Sequence, residues 1–129
     1  MMIYICCAGG ATSSLFCENI QKSAVNSDVY IDSIFTILNN VEDITKKHAV
    51  ILAYGPAGFL TPDTIKQHHL DKMLKGIWIA PQMRFMTARI QKDFEEMQIP
   101  VASIDMHTFG MMDGRQAIRD IKRIFLSKK

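Results

Sequence analysis

No apolar run in the chain approaches the roughly 20 residues that a membrane-spanning helix needs, so direct membrane insertion is not expected. The N-terminus has no charged segment ahead of its first apolar stretch and no evident cleavage site, which argues against a signal peptide. Cysteine is scarce, at Cys6, Cys7 and Cys17 only. Neighbours on an extended chain point to opposite faces, so Cys6 and Cys7 make a poor internal disulfide. Free thiols in a reducing cytoplasm are the expectation. An excess of one charge is lacking too: 15 Lys+Arg against 13 Asp+Glu leave +2, far from the footprint of a dedicated nucleic-acid binder. The basic residues gathered in "GRQAIRDIKRIFLSKK" read as a solvated helix face. His68 and His69 are adjacent on a predicted helix and therefore diverge, and no cysteine or acidic partner stands at metal-ligand spacing. No metal site and no cofactor are expected. Linkers, low-complexity tracts and charge blocks are also missing, so residues 1–129 read as one domain, long enough to bury a core without disulfide or metal.

What is present alternates. Met2 to Cys7 is apolar without polar alternation, the mark of a strand covered on both faces. From Thr12 the pattern turns helical, with Phe16, Ile20 and Ala24 one turn apart and Cys17 beside them. "DVYIDSIF" (28–35), "AVILAY" (49–54), "GIWIA" (76–80) and "IPVASID" supply further strands. Between them, "NNVEDITKKH" predicts an asparagine-capped helix, and Thr61-Pro62-Asp63 a helix start with proline at the first position. Met86, Ile90, Phe94 and Met97 mark a further helix face, and Ala117, Ile118, Ile121 and Phe125 the last one. This alternation predicts an α/β fold, a three-layer αβα sandwich around four or five parallel strands. "AVILAYGPAGFLTPDTIKQ" and "GIWIAPQMRFMTARIQK" echo each other, each a strand, a small residue, a proline and a helix, with Ile65 and Ile90 equally spaced from the proline. Duplication and a shared packing solution both account for the echo.

The chemistry gathers after the first strand. In open α/β sheets ligands bind beyond the carboxyl ends of the strands, where strand order reverses. There the sequence places Cys7, Gly9-Gly10, and Thr12, Ser13 and Ser14 leading into a helix. Successive backbone N–H groups in such a turn make an anion nest, and a helix N-terminus adds the positive end of its dipole. The same field favours thiolate for a cysteine at its mouth. The loop suits a nucleophilic cysteine that holds a phosphate-like group; the plainer alternative is a buried strand-end cysteine. Cys6, within the strand, and Cys17, on the apolar helix face, read as core residues.

Two families place a cysteine here. Low-molecular-weight tyrosine phosphatases and related arsenate reductases follow it six residues later with an arginine that clamps phosphate through paired hydrogen bonds. Here that position is Ser13, and no basic residue lies between Ile3 and Gln21. The chain resembles instead the phosphocysteine-carrying EIIB component of the bacterial sugar phosphotransferase system (PTS), lactose/cellobiose type. "IYICCAGGATSS" is similar to that family's strand and loop, "IWIAPQMRFM" to its strand ending in Gly/Ala-Pro-Gln, and "PVASIDMHTFGMMDG" to its closing segment. The chain departs from the pattern in an additional stretch around His48 to Met73, in which the apolar 49–54 is expected to be a genuine strand of the sheet.

The resemblance implies a flavodoxin-like, IIB-like sheet and a cytoplasmic phosphocarrier associating with a membrane IIC component. Cys7 would be the residue phosphorylated from a IIA phosphohistidine. The loop Ala8, Gly9, Gly10, Ala11, Thr12, Ser13 and Ser14 would hold the phosphate through its N–H groups and hydroxyls, without metal or cofactor. The missing arginine fits a relay that holds phosphate without driving hydrolysis. A cysteine phosphatase or arsenate reductase is the enzymatic alternative, and a binding domain that has lost the relay the non-enzymatic one. His107, after the fifth strand, is a candidate for assisting transfer, with a structural role as its alternative.

Overall fold

Met2–Cys6 (β1) carries no charged residue, and in the computed structural model every one of its side chains is buried. The structure describes residues 1–7, 11–24 and 29–126, with backbone alone for 11–13. A strand of this composition needs cover on both faces, and its side chains divide accordingly. Met2, Tyr4 and Cys6 enter one core, and Ile3, Ile5 and, just beyond the strand, Cys7 enter another. Val29–Ser33 (β2), Val50–Gly55 (β3), Leu74–Ile79 (β4) and Val101–Ser103 (β5) complete a five-stranded sheet in the order β2-β3-β1-β4-β5, parallel throughout.

One face is covered by Ala11–Ser23 (α1), Met106–Gly110 (α6) and Gly114–Ile121 (α7), through Phe16, Cys17, Ile20, Phe109, Ala117 and Ile121. The other is covered by Ile34–Asn39 (α2), Val41–Lys47 (α3), Pro62–Gln67 (α4) and Thr87–Asp93 (α5), through Ile34, Ile37, Ile44, Ile65 and Ile90. The αβα sandwich expected from the sequence is therefore observed. The chain leaves β1 toward the β2 edge with α1 on one face, and makes every later step the other way with helices on the opposite face. Right-handed crossovers require that change of face.

The apolar stretch at 49–54 is indeed a strand, shifted by one residue and hydrogen-bonded on both sides, with Ile51, Leu52 and Ala53 buried. The echoing segments prove to be β3 and β4, the two neighbours of β1, and Ile65 and Ile90 are fully buried in the same core.

Several boundaries differ from the sequence reading. The second strand stops at Ser33, whose hydroxyl accepts from Phe35 N at 3.3 Å and starts α2, so Ile34 and Phe35 are helical. Asn40 stands at the cap position of α3 but makes no side-chain cap bond. Thr61 does cap α4, its hydroxyl accepting from Thr64 N at 3.1 Å, with Pro62 at the first helical position. α5 ends at Asp93, which leaves Met97 half-buried in the turn that follows. The last helix widens into a π-type turn, Lys122–Leu126, that brings Phe125 edge-on to Trp78 at 6.5 Å. α6 has no counterpart in the sequence reading; Asp105 caps it by accepting from Thr108 N at 3.0 Å.

α1 and α7 approach closely at Gly114, where a Cβ would collide with the Asn19 carbonyl and crowd Ser23 Oγ. Backbone cannot yield as a flexible side chain can. Gly114→Ala is therefore expected to cost about 1–3 kcal/mol by forcing the helices apart; thermal unfolding of the variant against the parent measures it.

Candidate active site

β1 is followed by a helix on one face of the sheet, whereas both its neighbours, β3 and β4, lead into segments on the other. The loops thus part at the carboxyl end of β1, which makes it the switch point of the sheet. Cys7 is the residue that stands there. Its N–H donates to Gly55 O at 3.0 Å, extending the β1–β3 ladder one residue beyond the strand. On the other edge Ala80 N donates to Cys6 O at 2.8 Å. Both turns that flank the cysteine pair are therefore bound to it, one ending in Gly55-Pro56 and one in Ala80-Pro81.

The Cys7 thiol also reaches Gly55 O, at 3.6 Å, and only 2% of the residue is exposed. Gly55 has no room for a side chain, since a Cβ would strike the Tyr4 hydroxyl and crowd Ile34. That hydroxyl donates to Pro56 O at 2.8 Å, and its ring stacks on Phe59 at 5.9 Å, which pins the turn from below.

All three cysteines are buried, and Cys6 and Cys7 point to opposite faces of the sheet as strand alternation requires. Cys6 points into the core opposite α1, whereas Cys7 and Cys17 share the α1 face. Burial pushes the Cys6 thiol up to about 11, with a Cys7 charge adding to the rise and Arg89 opposing it. Burial likewise pushes Cys17 up to about 12, again with Cys7 adding to the rise. Both stay protonated, and so poor nucleophiles, near neutrality.

Of the proposed phosphate loop, Ala8, Gly9 and Gly10 lie outside the described residues. Ala11, Thr12 and Ser13 form the first turn of α1, and their side chains lie outside the description too. Ser14 is exposed. It faces a cleft of about 500 Å³ lined also by Leu15, Cys17, Glu18, Gln21, Ile31 and Tyr54. The last of these was not singled out in the sequence, because a tyrosine at the end of an apolar strand carries no motif. His107 is exposed on the segment after β5, with β4 lying between its strand and β1. His68 ends α4 and stacks on Phe59 at 5.5 Å. Among the described residues no cluster of His, Cys, Asp or Glu has a metal-binding arrangement, and no helix is long and apolar enough to cross a membrane.

The closing segment owes its pattern to folding. Ile104 is buried, Asp105 and Asp113 cap successive helices, Phe109 packs on Phe16 at 4.8 Å, and Gly114 admits α1. Two N–H donors, Thr108 first, hold the Asp105 carboxyl below its usual range, as an N-cap carboxylate requires.

The fold and site thus define a parallel α/β sandwich with a buried thiol at its switch point. No family model matches the chain. A stretch of 42 residues, 33% of the chain, is 42% identical to the PTS system oligo-beta-mannoside-specific EIIB component of Bacillus subtilis (strain 168). That match spans 41% of the relative's own length. Two solved structures share the fold over nearly the whole chain. One is the lactose-specific IIB component domain of the phosphoenolpyruvate:carbohydrate phosphotransferase system from Streptococcus pneumoniae, with a TM-score of 0.60, 17% identity and 96% of each chain covered. The other is the cellobiose-specific phosphotransferase IIB component protein from Borrelia burgdorferi, with a TM-score of 0.60, 18% identity, and 98% of this chain and 92% of that one covered. The EIIB resemblance read in the sequence is borne out: the curated match is an EIIB component, and both solved neighbours are IIB components.

The raised thiol values have a consequence at alkaline pH. Between about pH 9 and 12 the unfolded chain gives up Cys6 and Cys17 protons that the folded chain retains. Stability from these groups is complete below pH 9 and is lost as pH rises through the folded values. The thermal midpoint should fall across this window, and fall less steeply in Cys17→Ala; melting curves at stepped pH measure both slopes.

Proposed function

We propose that the chain is a IIB component of a sugar phosphotransferase system and works as a phosphoryl relay through Cys7. The observation that carries this reading is the position of Cys7, a thiol at the carboxyl end of the central strand, at the switch point and directly ahead of α1, with Ser13 where a cysteine phosphatase has arginine. The EIIB match and the two IIB folds support it.

In the first step the Cys7 thiolate attacks the phosphorus of a IIA phosphohistidine. The P–N bond breaks as the S–P bond forms, and the departing imidazole keeps the electron pair and takes up a proton. In the second, a hydroxyl of the sugar presented by a membrane IIC component attacks phosphorus. The S–P bond breaks, the thiolate returns, and the hydroxyl proton passes to solvent or to a base of the partner. The loop 8–14 would hold the phosphoryl oxygens with backbone N–H groups and the hydroxyls of Thr12, Ser13 and Ser14. With no cation in that loop, water gains little help as a competing nucleophile.

The surface around the site suits protein partners. Leu15, Phe35, Phe85 and Met106 are 46%, 55%, 79% and 58% exposed, and each follows the carboxyl end of a different strand. Arg84 Nη1 reaches Met106 Sδ at 3.2 Å and joins two of these segments. Exposed apolar side chains ringing one edge of a sheet mark a docking surface, here for the IIA donor and in turn for IIC. The sugar would be of the lactose/cellobiose class, and the protein would work in the cytoplasm beside the membrane.

With a phosphorylated lactose/cellobiose-type IIA as donor, the protein is expected to gain one phosphate, mapped by mass spectrometry to the peptide containing Cys7. Cys7→Ser should abolish uptake, whereas Cys6→Ser and Cys17→Ser retain most of it. Phosphate on histidine, or full uptake by Cys7→Ser, would overturn the relay. Turnover of an aryl phosphate by the isolated protein would move the reading to a cysteine phosphatase.

A further inference from the structure

Tyr4 brings a hydroxyl into a core otherwise built from aliphatic residues, phenylalanines and the Cys6 thiol, and the residue is fully buried. Phenylalanine would fill the same space without taking a hydroxyl out of water. The hydroxyl is met by the Pro56 carbonyl at 2.8 Å. Pro56 is exposed, so this bond ties a surface turn to the core. Burial, with the charges of Cys6 and Cys7 adding to it, raises the Tyr4 phenol above its ordinary value, which keeps it a donor across the neutral range.

The turn that Tyr4 holds carries the carbonyl that touches both ends of Cys7. Gly55 O, immediately ahead of Pro56, accepts from Cys7 N at 3.0 Å and from the Cys7 thiol at 3.6 Å. The first bond fixes where the Cys7 side chain starts, and the second fixes how the sulfur is turned about it. This carbonyl is itself held from two directions. The β1–β3 ladder, with Cys6 beside Gly55, holds it within the sheet. Tyr4 holds it from the opposite core, binding the next carbonyl along the chain and filling, with Ile34, the space a Gly55 Cβ would need. The Tyr4 ring is clamped in turn. It lies nearly parallel to Phe59 at 5.9 Å, and Phe59 has His68 stacked on it at 5.5 Å and Phe35 edge-on at 6.0 Å.

We propose that Tyr4 is a positioning residue of the phosphoryl site: its hydroxyl, through the Pro56 carbonyl, keeps the Gly55 carbonyl against Cys7 and so sets the direction of the sulfur. This rests on the relay reading. Displacement at phosphorus needs the sulfur in line and within about 3–3.5 Å, and small errors of placement are costly. With no basic residue between Ile3 and Gln21, no side-chain cation of that stretch draws the thiolate into place, and the backbone has to do so. A thiolate cannot donate, so ionisation frees the sulfur from Gly55 O while the Cys7 N bond keeps its root fixed. The sulfur then leaves from a defined starting point.

The test uses Cys6→Ser/Cys17→Ser protein, in which Cys7 is the one thiol left. Adding Tyr4→Phe keeps the ring and its packing on Phe59 and removes the hydroxyl alone. Alkylation of Cys7 by iodoacetamide, which needs no partner protein, is expected to accelerate about fivefold as the thiol loses its hold on Gly55, the order of one neutral hydrogen bond. Phosphoryl uptake from a phosphorylated lactose/cellobiose-type IIA should slow by about the same factor at saturating donor, with an unchanged KM. Ile65→Val, which removes one methylene from the same core, controls for stability and should alter neither rate. Parental alkylation or parental uptake in Tyr4→Phe, a change confined to KM, or equal effects in Ile65→Val would each overturn the role of Tyr4 while leaving the relay standing. A parent protein that takes up no phosphate on Cys7 would overturn both.

Discussion

The hydrogen bond from Cys7 N to Gly55 O, 3.0 Å long, is the interaction on which the site depends. It carries the parallel ladder one residue past the end of β1 and so fixes the thiol at a point where the chain must otherwise turn away. Its acceptor can come so close only because Gly55 lacks a side chain, the space being taken by Tyr4 and Ile34. The Tyr4 hydroxyl closes the arrangement by donating to Pro56 O. A buried strand, a glycine and a tyrosine of the opposite core thus act together on one sulfur.

β3 lies between β2 and β1, with ladder bonds on both sides. β3 and β4 then flank β1 with turns of like design, a small residue and a proline, each followed by a short 3-10 turn, and with helices that bury Ile65 and Ile90 in one core. The two turns hold adjacent cysteines from opposite edges: Gly55 accepts from Cys7, and Ala80 donates to Cys6. The pair of thiols is thereby resolved into one for each face, a consequence of the two-residue alternation of strands.

Much of this was legible from residues alone. Apolar runs without alternation, separated by amphipathic stretches, can be satisfied only by parallel strands covered on both faces, and that is the sheet observed. The helix start at Thr61 was legible because proline and a hydroxyl carry their geometry with them. Misread boundaries have local causes. Ile34 and Phe35 extend an apolar run, yet Ser33 captures Phe35 N and turns the chain into α2. Asn40 looks like a cap but leaves the capping bond unmade.

The sequence by itself determined the class of the fold, the strand-end cysteine with its hydroxyl-rich successor, and the lack of a basic residue between Ile3 and Gln21, because these follow from composition, periodicity and spacing along the chain. It also determined that only one of Cys6 and Cys7 can face α1, since alternation in a strand is a local property. Strand order was decided by the tertiary structure alone. Nothing local tells a strand which neighbours it will have, so the placement of β3 against β1 and the Gly55 carbonyl at the Cys7 thiol emerged only from the packed sheet. Cys7 and Gly55 stand 48 positions apart, and the burial of both cores is what holds them together.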